Sequence, residues 1–411
     1  MSGSNGKKQS LWASVSMGIF LIGYNVGTGS ITAMASAGAD YGMSLTWALV
    51  LSCVFAYVML LAFSRFTMTT GESSMFAFRK RFGAPVTVFI MVALLSAEVT
   101  SSMGLMRVSA EIVREWSRPL TASGAGFSPV AVAIVFAMLL GALSWKGEQG
   151  LFEKVLALFV AIMGIAFIAT MFVVVPSAED IIKGLKPSIP EGDNSFVVVC
   201  SMVGTTMGAI LFVARSVMVR DKGWTVADMK TQKKDALVSV CMMFVLSFAV
   251  MACAAGAMRG EHIENAIQMV GLVEPVAGKF ATSLFCAGIV AAALSSLFPI
   301  LLLAPWLVSD FMGEKTDVRS MRSRILIYAV LLCSLCVPLL GWRPVKVVLI
   351  SQTLTMVATP LVVLFMAILL NRPDVMRETR PRWWENLIYS VVFLFTLVMA
   401  VIGMLGLFRM N

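Results

Sequence analysis

Two short runs of glycine and small polar residues interrupt long apolar segments of the chain. One run lies at 27–30 inside the apolar segment 11–37, and the other lies at 204–208 inside the segment 196–218. Glycine costs roughly 1 kcal/mol relative to alanine in a helix interior, and an unwound backbone at bilayer depth must be buried in protein or line a cavity. We therefore predict a substrate site at Gly27, Thr28, Gly29, Ser30, Gly204, Thr205, Thr206, Met207 and Gly208.

A broken helix offers its backbone as a binding surface. The first half ends in free carbonyls with a negative dipole end, and the second half begins with free N–H groups and a positive end. Carbonyls attract cations and N–H groups attract anions, and paired breaks in two halves of a chain are typical of inverted-repeat transporters. The alternative is that these glycines only let helices pack closely.

Three further residues inside apolar segments could take part in transport. Gln352 joins the predicted substrate site, with helix–helix hydrogen bonding as the alternative role. Glu98 lies deep in the segment 85–107, and intramembrane charges are functional candidates by default. We predict that Glu98 and Arg215 serve ion coupling, with Glu98 as a proton carrier or as the counter-charge of Arg215 or Arg107; a structural ion pair is the alternative.

The composition indicates an all-α integral membrane protein. Apolar residues make up 59% and charged residues 13% of the chain, and the mean hydropathy is +0.88. A soluble domain carries about 25% charged residues, and a membrane span needs roughly 20 apolar residues. Eleven candidate spans follow: 11–37, 43–64, 85–107, 129–145, 151–175, 196–218, 235–257, 280–309, 325–341, 344–370 and 385–408.

The spans suggest a single transporter domain, 1–411, with an internal repeat. Repeat one covers 11–175 and repeat two covers 196–370, each beginning with a glycine-broken helix, and 385–408 is an added helix. Because five is an odd number, two five-helix units in sequence have opposite topologies. The predicted fold is a 5+5 inverted repeat with helices 1 and 6 broken.

Charge predicts orientation and excludes several functions. Lys and Arg concentrate in alternate connectors, and connectors rich in these residues usually face the cytoplasm. We therefore predict a multi-pass protein of the cell membrane with a cytoplasmic N-terminus and a C-terminus outside. The net charge of +9 is then a topology signal, so we expect lipid but no nucleic acid among the partners. No span contains His and the seven Cys have no metal-binding spacing, so we expect neither an enzyme nor a cofactor.

Five segments have recognisable motifs: Ala-Gly-Ala-Asp-Tyr-Gly at 37–42, Thr-Thr-Gly-Glu at 69–72, the segment 183–190, the small-residue run 286–296 and Ser-Gln at 351–352. These segments resemble the NRAMP (natural-resistance-associated macrophage protein) family of proton-coupled divalent-metal transporters. Their order and spacing extend the resemblance over nearly the whole chain. The resemblance implies a leucine-transporter-like fold that works by alternating access.

The chain departs from the family at its metal-binding motifs. The family's Asp-Pro-Gly-Asn, whose Asp and Asn bind the metal, falls on 27–30 and has lost both side chains. The family's Met-Pro-His falls near 207–210, so its Met becomes Gly208 or the retained Met207 and its His is lost. The family's acidic residue of span three falls near Glu98, and a second acid three positions later becomes Ser101.

These departures lead to a prediction about the cargo. Hard divalent cations prefer carboxylate oxygens, whereas the run at 27–30 resembles the break that amino-acid transporters of this fold use for a substrate carboxylate. We therefore predict H⁺- or Na⁺-coupled uptake of a small organic or amino-acid-like solute, with no metal site. Proton-coupled transport of Mg²⁺ or Mn²⁺ is the alternative, and a transport-inactive sensor is the third possibility.

Overall fold

Long apolar helices make up most of the chain that the structure describes. The computed structural model describes residues 27–146, 150–174, 176–192, 194–260, 263, 268 and 281–409. Its α-helices are α1 Thr28–Tyr41, α2 Thr46–Thr70, α3 Ser74–Phe82, α4 Ala84–Ser117, α5 Pro129–Lys146, α6 Gly150–Val174, α7 Ala178–Lys183, α8 Ser195–Met207, α9 Ala209–Asp221, α10 Met229–Ala257, α11 Ala281–Met312, α12 Met321–Ser334, α13 Cys336–Leu340, α14 Pro344–Asn371, α15 Pro373–Met376 and α16 Trp383–Arg409.

These helices confirm the predicted fold class, a multi-pass helical membrane protein. Within the described residues, 8 helical segments are long and apolar enough to cross a membrane, and two shorter apolar helices lie at Pro129–Trp145 and Ala161–Val174. Most predicted spans agree with a helix to within a few residues. Helices α4 and α10 extend well beyond their predicted ends. The first half of the predicted span 11–37 lies outside the described residues.

The sixth span is broken, as predicted, but at one residue. Helix α8 ends at Met207, and α9 begins at Ala209. Between them Gly208 has an extended backbone, with φ −62° and ψ 143°. The residues from Gly204 to Met207 are helical, which corrects the prediction that the whole run is unwound.

The described part of the first span begins at the predicted glycine run. Helix α1 begins at Thr28, and Gly27 precedes it with an extended backbone of φ −89° and ψ −176°. The Ser30 hydroxyl donates a hydrogen bond to the Gly27 carbonyl over 3.1 Å, which satisfies that carbonyl at the helix start. Residues before Gly27 are outside the described part of the chain.

Helix α14 packs against both halves of the broken helix, α8 and α9. It also packs against α4 and α16, while α10 packs against α1 and α2. The α8–α14 contact is close, because a Cβ on Gly204 would overlap the backbone carbonyl oxygen of Gln352. Close packing, the alternative proposed for the glycines, is therefore a real role of Gly204. The division into repeats 11–175 and 196–370 stays a prediction.

Charged residues gather at the end of the bundle where α3 meets α9 and α11. Asp310 of α11 accepts hydrogen bonds from the Ser73 hydroxyl and the Met75 N–H, and pairs with Arg220 over 2.8 Å. Nearby, Glu72 pairs with two basic residues of α3, Lys80 at 2.7 Å and Arg81 at 2.6 Å. These contacts tie the second half of the broken helix to α11 at this end.

Candidate substrate site

A small cavity lies beside the break between α8 and α9. Its volume is about 30 Å³, which is room for roughly two water-sized spheres. Six helices supply its walls: α1, α4, α8, α9, α11 and α14. Its lining residues are Gly29, Ser30, Glu98, Ser101, Leu105, Gly204, Thr205, Gly208, Ile210, Leu211, Ser296, Ile300, Gln352 and Thr355.

The structure brings together most of the predicted site residues at this cavity. The lining includes Gly29, Ser30, Glu98, Gly204, Thr205, Gly208 and Gln352. These residues come from helices that are far apart in sequence, so the cavity exists only in the folded chain. Their role in binding stays a prediction.

Five predicted residues are not among those lining the cavity. They are Gly27, Thr28, Thr206, Met207 and Arg215. The hydroxyl groups of two of them donate to main-chain carbonyls instead: Thr28 to Ile289 at 3.3 Å and Thr206 to Met202 at 2.8 Å. Met207 is fully buried in the hydrophobic core. Its sulfur is therefore not a cavity ligand in this structure.

Glu98 is the charged residue of the cavity. Among the described lining residues it alone carries an ionisable side chain, and it is only 6% exposed. Burying an ionised carboxylate without compensation is expensive, so buried carboxylates are paired, hydrogen-bonded or bound to cations. The cavity thus combines one carboxylate with hydroxyl, amide and backbone oxygens.

Arg215 does not occupy the place that the sequence suggested. It is fully buried and pairs with Asp235 of α10 at 2.5 Å, while its Nε donates to the Ser64 hydroxyl at 3.2 Å. Arg107, the other predicted partner of Glu98, pairs with Glu111 at 2.7 Å. These ion pairs involve other carboxylates, and the predicted pairing of Glu98 with an arginine stays a prediction. The Arg215 pair anchors α9 to α10 away from the cavity.

Helix α14 contributes two polar side chains, Gln352 and Thr355, to the lining of the site. The Gln352 side-chain amide donates to the Ser101 hydroxyl over 3.5 Å, at the position where the family has its second acid. One turn further on, the Thr355 methyl group lies against Gly208, where an added Cβ would come within 2.5 Å of it. The main-chain N–H of Ala209 donates to the Thr359 hydroxyl over 3.0 Å.

The break also places the last turn of α8 at the cavity. The carbonyls in the last turn of a helix have no N–H partner further along the chain, and they carry the negative end of the helix dipole. Gly204 and Thr205 belong to this last turn of α8 and line the cavity. This wall of the site is suited to a cation.

Several lining residues that the prediction missed lie at helical spacing from residues that it included. Ser101 and Leu105 lie three and seven positions after Glu98, and Thr355 lies three after Gln352. Residues at these spacings share one face of a helix. Ser296 and Ile300 of α11 are four apart, but nothing in the sequence shows that this face meets the cavity. Within the described residues no group of three or more His, Cys, Asp or Glu side chains could hold a metal ion.

The fold and the cavity define a multi-pass membrane transporter built on broken helices. The chain matches the family model described as natural resistance-associated macrophage protein-like over residues 18–406. It therefore belongs to this family, which confirms the resemblance found in the sequence.

Relatives and solved structures agree with this assignment. The chain is 25% identical over 402 residues to the divalent metal cation transporter MntH of Mycobacterium tuberculosis, covering 92% of this chain and 88% of the relative. It is 22% identical to the protein of the same name from Deinococcus radiodurans over 360 residues, covering 85% of this chain and 79% of the relative.

Structural similarity shows the fold. A crystal structure of a variant of the Eremococcus coleocola manganese transporter has a TM-score of 0.76 at 11% identity, covering 98% of this chain and 88% of that one. Mhp1, a nucleobase-cation-symport-1 family transporter, has a TM-score of 0.62 at 16% identity, covering 96% of this chain and 91% of that one. The wider broken-helix fold is thus shared by carriers of different cargo.

Proposed function

We propose that this protein transports a divalent metal cation and binds it in the cavity beside Gly208. The observation that carries the proposal is Glu98, a nearly buried carboxylate in the wall of an ion-sized cavity. Membership of the family and the names of the relatives support the same cargo. In this proposal Glu98 of α4 is the carboxylate ligand that remains where the Asp of the first broken helix is absent.

The ligand atoms favour a hard cation. Carboxylate, hydroxyl, amide and backbone oxygens suit Mg²⁺ and Mn²⁺, whereas thiolate and thioether sulfur select softer ions. Among the described lining residues there is no Cys, His or Met. With one carboxylate, the cation keeps part of its water shell, as Mg²⁺ commonly does in proteins. We therefore assign Mg²⁺ and Mn²⁺ as the candidate cargo and exclude Cd²⁺.

The prediction of an organic solute is not supported. The predicted place for a substrate carboxylate was the run at 27–30, and Gly29 and Ser30 line the cavity together with Glu98. A substrate carboxylate there would meet the negative charge of Glu98.

Coupling and orientation remain part of the proposal. Glu98 is the one ionisable side chain among the described lining residues, so it is our candidate for the group that carries a proton. H⁺ is therefore the coupling ion that we favour over Na⁺. The excess of basic residues in alternate connectors supports a cytoplasmic N-terminus and an outer C-terminus.

Uptake by the purified protein in liposomes tests this function. We expect saturable Mn²⁺ uptake that excess Mg²⁺ inhibits and excess Cd²⁺ leaves nearly unchanged, and that an inward proton gradient stimulates. Liposomes without protein are the control. Saturable uptake of an amino acid with no response to any divalent cation would overturn the proposal.

A further inference from the structure

The second half of the broken helix begins without a cap of its own. The first N–H groups of any helix lack partners within the helix, and Ser, Thr, Asp or Asn at the preceding position normally accepts from one of them. In α9 that position is Gly208, which has no side chain, and no side-chain cap from it exists. This end of α9 also lies at the cavity, where Gly208 and Ile210 form part of the wall.

A threonine of another helix takes over this role. The Ala209 N–H donates to the hydroxyl oxygen of Thr359 over 3.0 Å. That hydroxyl donates its own hydrogen to the Thr355 carbonyl over 2.9 Å, so its oxygen is left as an acceptor for the Ala209 N–H. Thr359 is fully buried, so water does not compete for this bond.

The same face of α14 carries the cap and two residues of the cavity wall. Gln352, Thr355 and Thr359 are spaced three and four residues apart, which places them in one line along the helix. Gly204 lies against Gln352, and Gly208 lies against Thr355. Both halves of the broken helix are thus held by one continuous helix, and the cap fixes the start of the second half.

We propose that Thr359 is a positioning residue for cation binding, which caps α9 from α14. Its oxygen holds the main chain at Gly208 and Ile210 in the cavity wall. It also occupies an N–H that would otherwise present positive charge to a cation, because the N-terminus of a helix is the positive end of its dipole. The expected effect on cation affinity rests on the proposed divalent-cation function. The hydrogen bond by which Thr359 caps α9 does not depend on that function.

The test compares three substitutions of α14. Thr359→Val removes the hydroxyl at nearly constant volume, and Thr359→Ser keeps it. Thr353→Val is the control, because Thr353 is equally buried. Its hydroxyl donates to the Leu349 carbonyl at 2.9 Å and reaches the Val197 carbonyl of α8 at 3.4 Å, and neither contact involves the start of α9. Two measurements are made on the full-length protein in detergent: amide hydrogen exchange at Ala209 and Mn²⁺ affinity by calorimetry.

We expect Thr359→Val to speed amide exchange at Ala209 about tenfold and to weaken Mn²⁺ binding about tenfold. The reason is that the buried Ala209 N–H loses its hydrogen-bond acceptor, and a loss of about 1.4 kcal/mol corresponds to a factor of ten. Thr359→Ser and Thr353→Val should match the unmodified protein in both measurements. Unchanged exchange in Thr359→Val would overturn the cap, and faster exchange with unchanged affinity would overturn its role in positioning. If the unmodified protein binds no divalent cation, the proposed function fails, and the exchange result still decides whether Thr359 caps α9.

Discussion

Gly204→Ala tests whether the contact between α8 and α14 sets the shape of the cavity. An added Cβ at this position would overlap the Gln352 carbonyl oxygen. Both groups belong to helical backbones, so neither can rotate away. A relaxed carbon–oxygen contact needs about 3.3–3.6 Å, so the two helices must separate by about 1 Å.

The structure allows the effects on stability and on transport to be separated. Overpacking typically costs about 1–3 kcal/mol, and alanine regains about 1 kcal/mol over glycine inside a helix, so the net loss of stability is about 0–2 kcal/mol. The same shift moves Thr205 and Gln352, which line the cavity on opposite sides of the contact. A displacement of about 1 Å in a positioned site can cost about 100-fold in rate. Transport should therefore suffer far more than folding.

The assay measures Mn²⁺ uptake in liposomes together with thermal stability in detergent. Gly141→Ala in α5 is the control, because its Cβ would meet only side-chain atoms of Tyr328 and Leu331, at 3.2 and 3.3 Å, away from the cavity. We expect uptake to be lost in Gly204→Ala, with a monodisperse protein, and to be kept in Gly141→Ala. Normal uptake by Gly204→Ala would show that the spacing of these two helices does not determine the site.

Three further predictions concern residues around the site and at the end of the bundle. Asp235→Asn should destabilise the protein by about 3 kcal/mol in chemical unfolding, because it leaves buried Arg215 without its counter-charge; an unchanged stability would contradict a structural role for this pair. Met207→Leu should leave Mn²⁺ affinity in calorimetry unchanged, because this side chain is buried away from the cavity lining, and a tenfold loss would make its sulfur a ligand. For Glu72, burial raises the pKa, but hydrogen bonds from its two basic partners outweigh this and leave the pKa lowered. The ionised Glu72 should therefore stabilise the protein above its unfolded-state pKa of about 4.3, and this stabilisation should be lost as the pH falls through the folded-state pKa. The difference in melting temperature between the unmodified protein and Glu72→Gln should then disappear in acid. A difference that does not depend on pH would refute this.

Local sequence signals predicted much of the fold. Hydropathy located the spans because each must be apolar for about 20 residues, and the interruption near Gly208 was visible because glycine is unfavourable inside helices. Gly29, Glu98 and Gln352 were recognised because polar or flexible positions in apolar segments are rare. The sequence could not fix the rotation of α8, where a step of one residue turns a side chain by about 100°. Met207 was therefore assigned to the site although it lies in the core.

Tertiary contacts explain the rest. Arg215 was expected near Glu98, but its partner Asp235 lies on α10, and nothing in the sequence shows that these helices meet there. The cargo prediction had a similar cause. The absence of Asp from 27–30 suggested a site without charge, whereas the folded chain places Glu98 of α4 beside Ser30 and Gln352 in one cavity.

Calorimetric titration of Mn²⁺ into the unmodified protein and into Glu98→Gln tests the central claim most directly. The glutamine keeps the size and the hydrogen-bonding capacity of the side chain but removes the single charge of the described cavity lining. We predict saturable binding to the unmodified protein, competition by Mg²⁺, and a loss of at least about tenfold in affinity for Glu98→Gln. Equal Mn²⁺ affinity in the two proteins, or no binding to the unmodified one, would contradict a cation site built around Glu98.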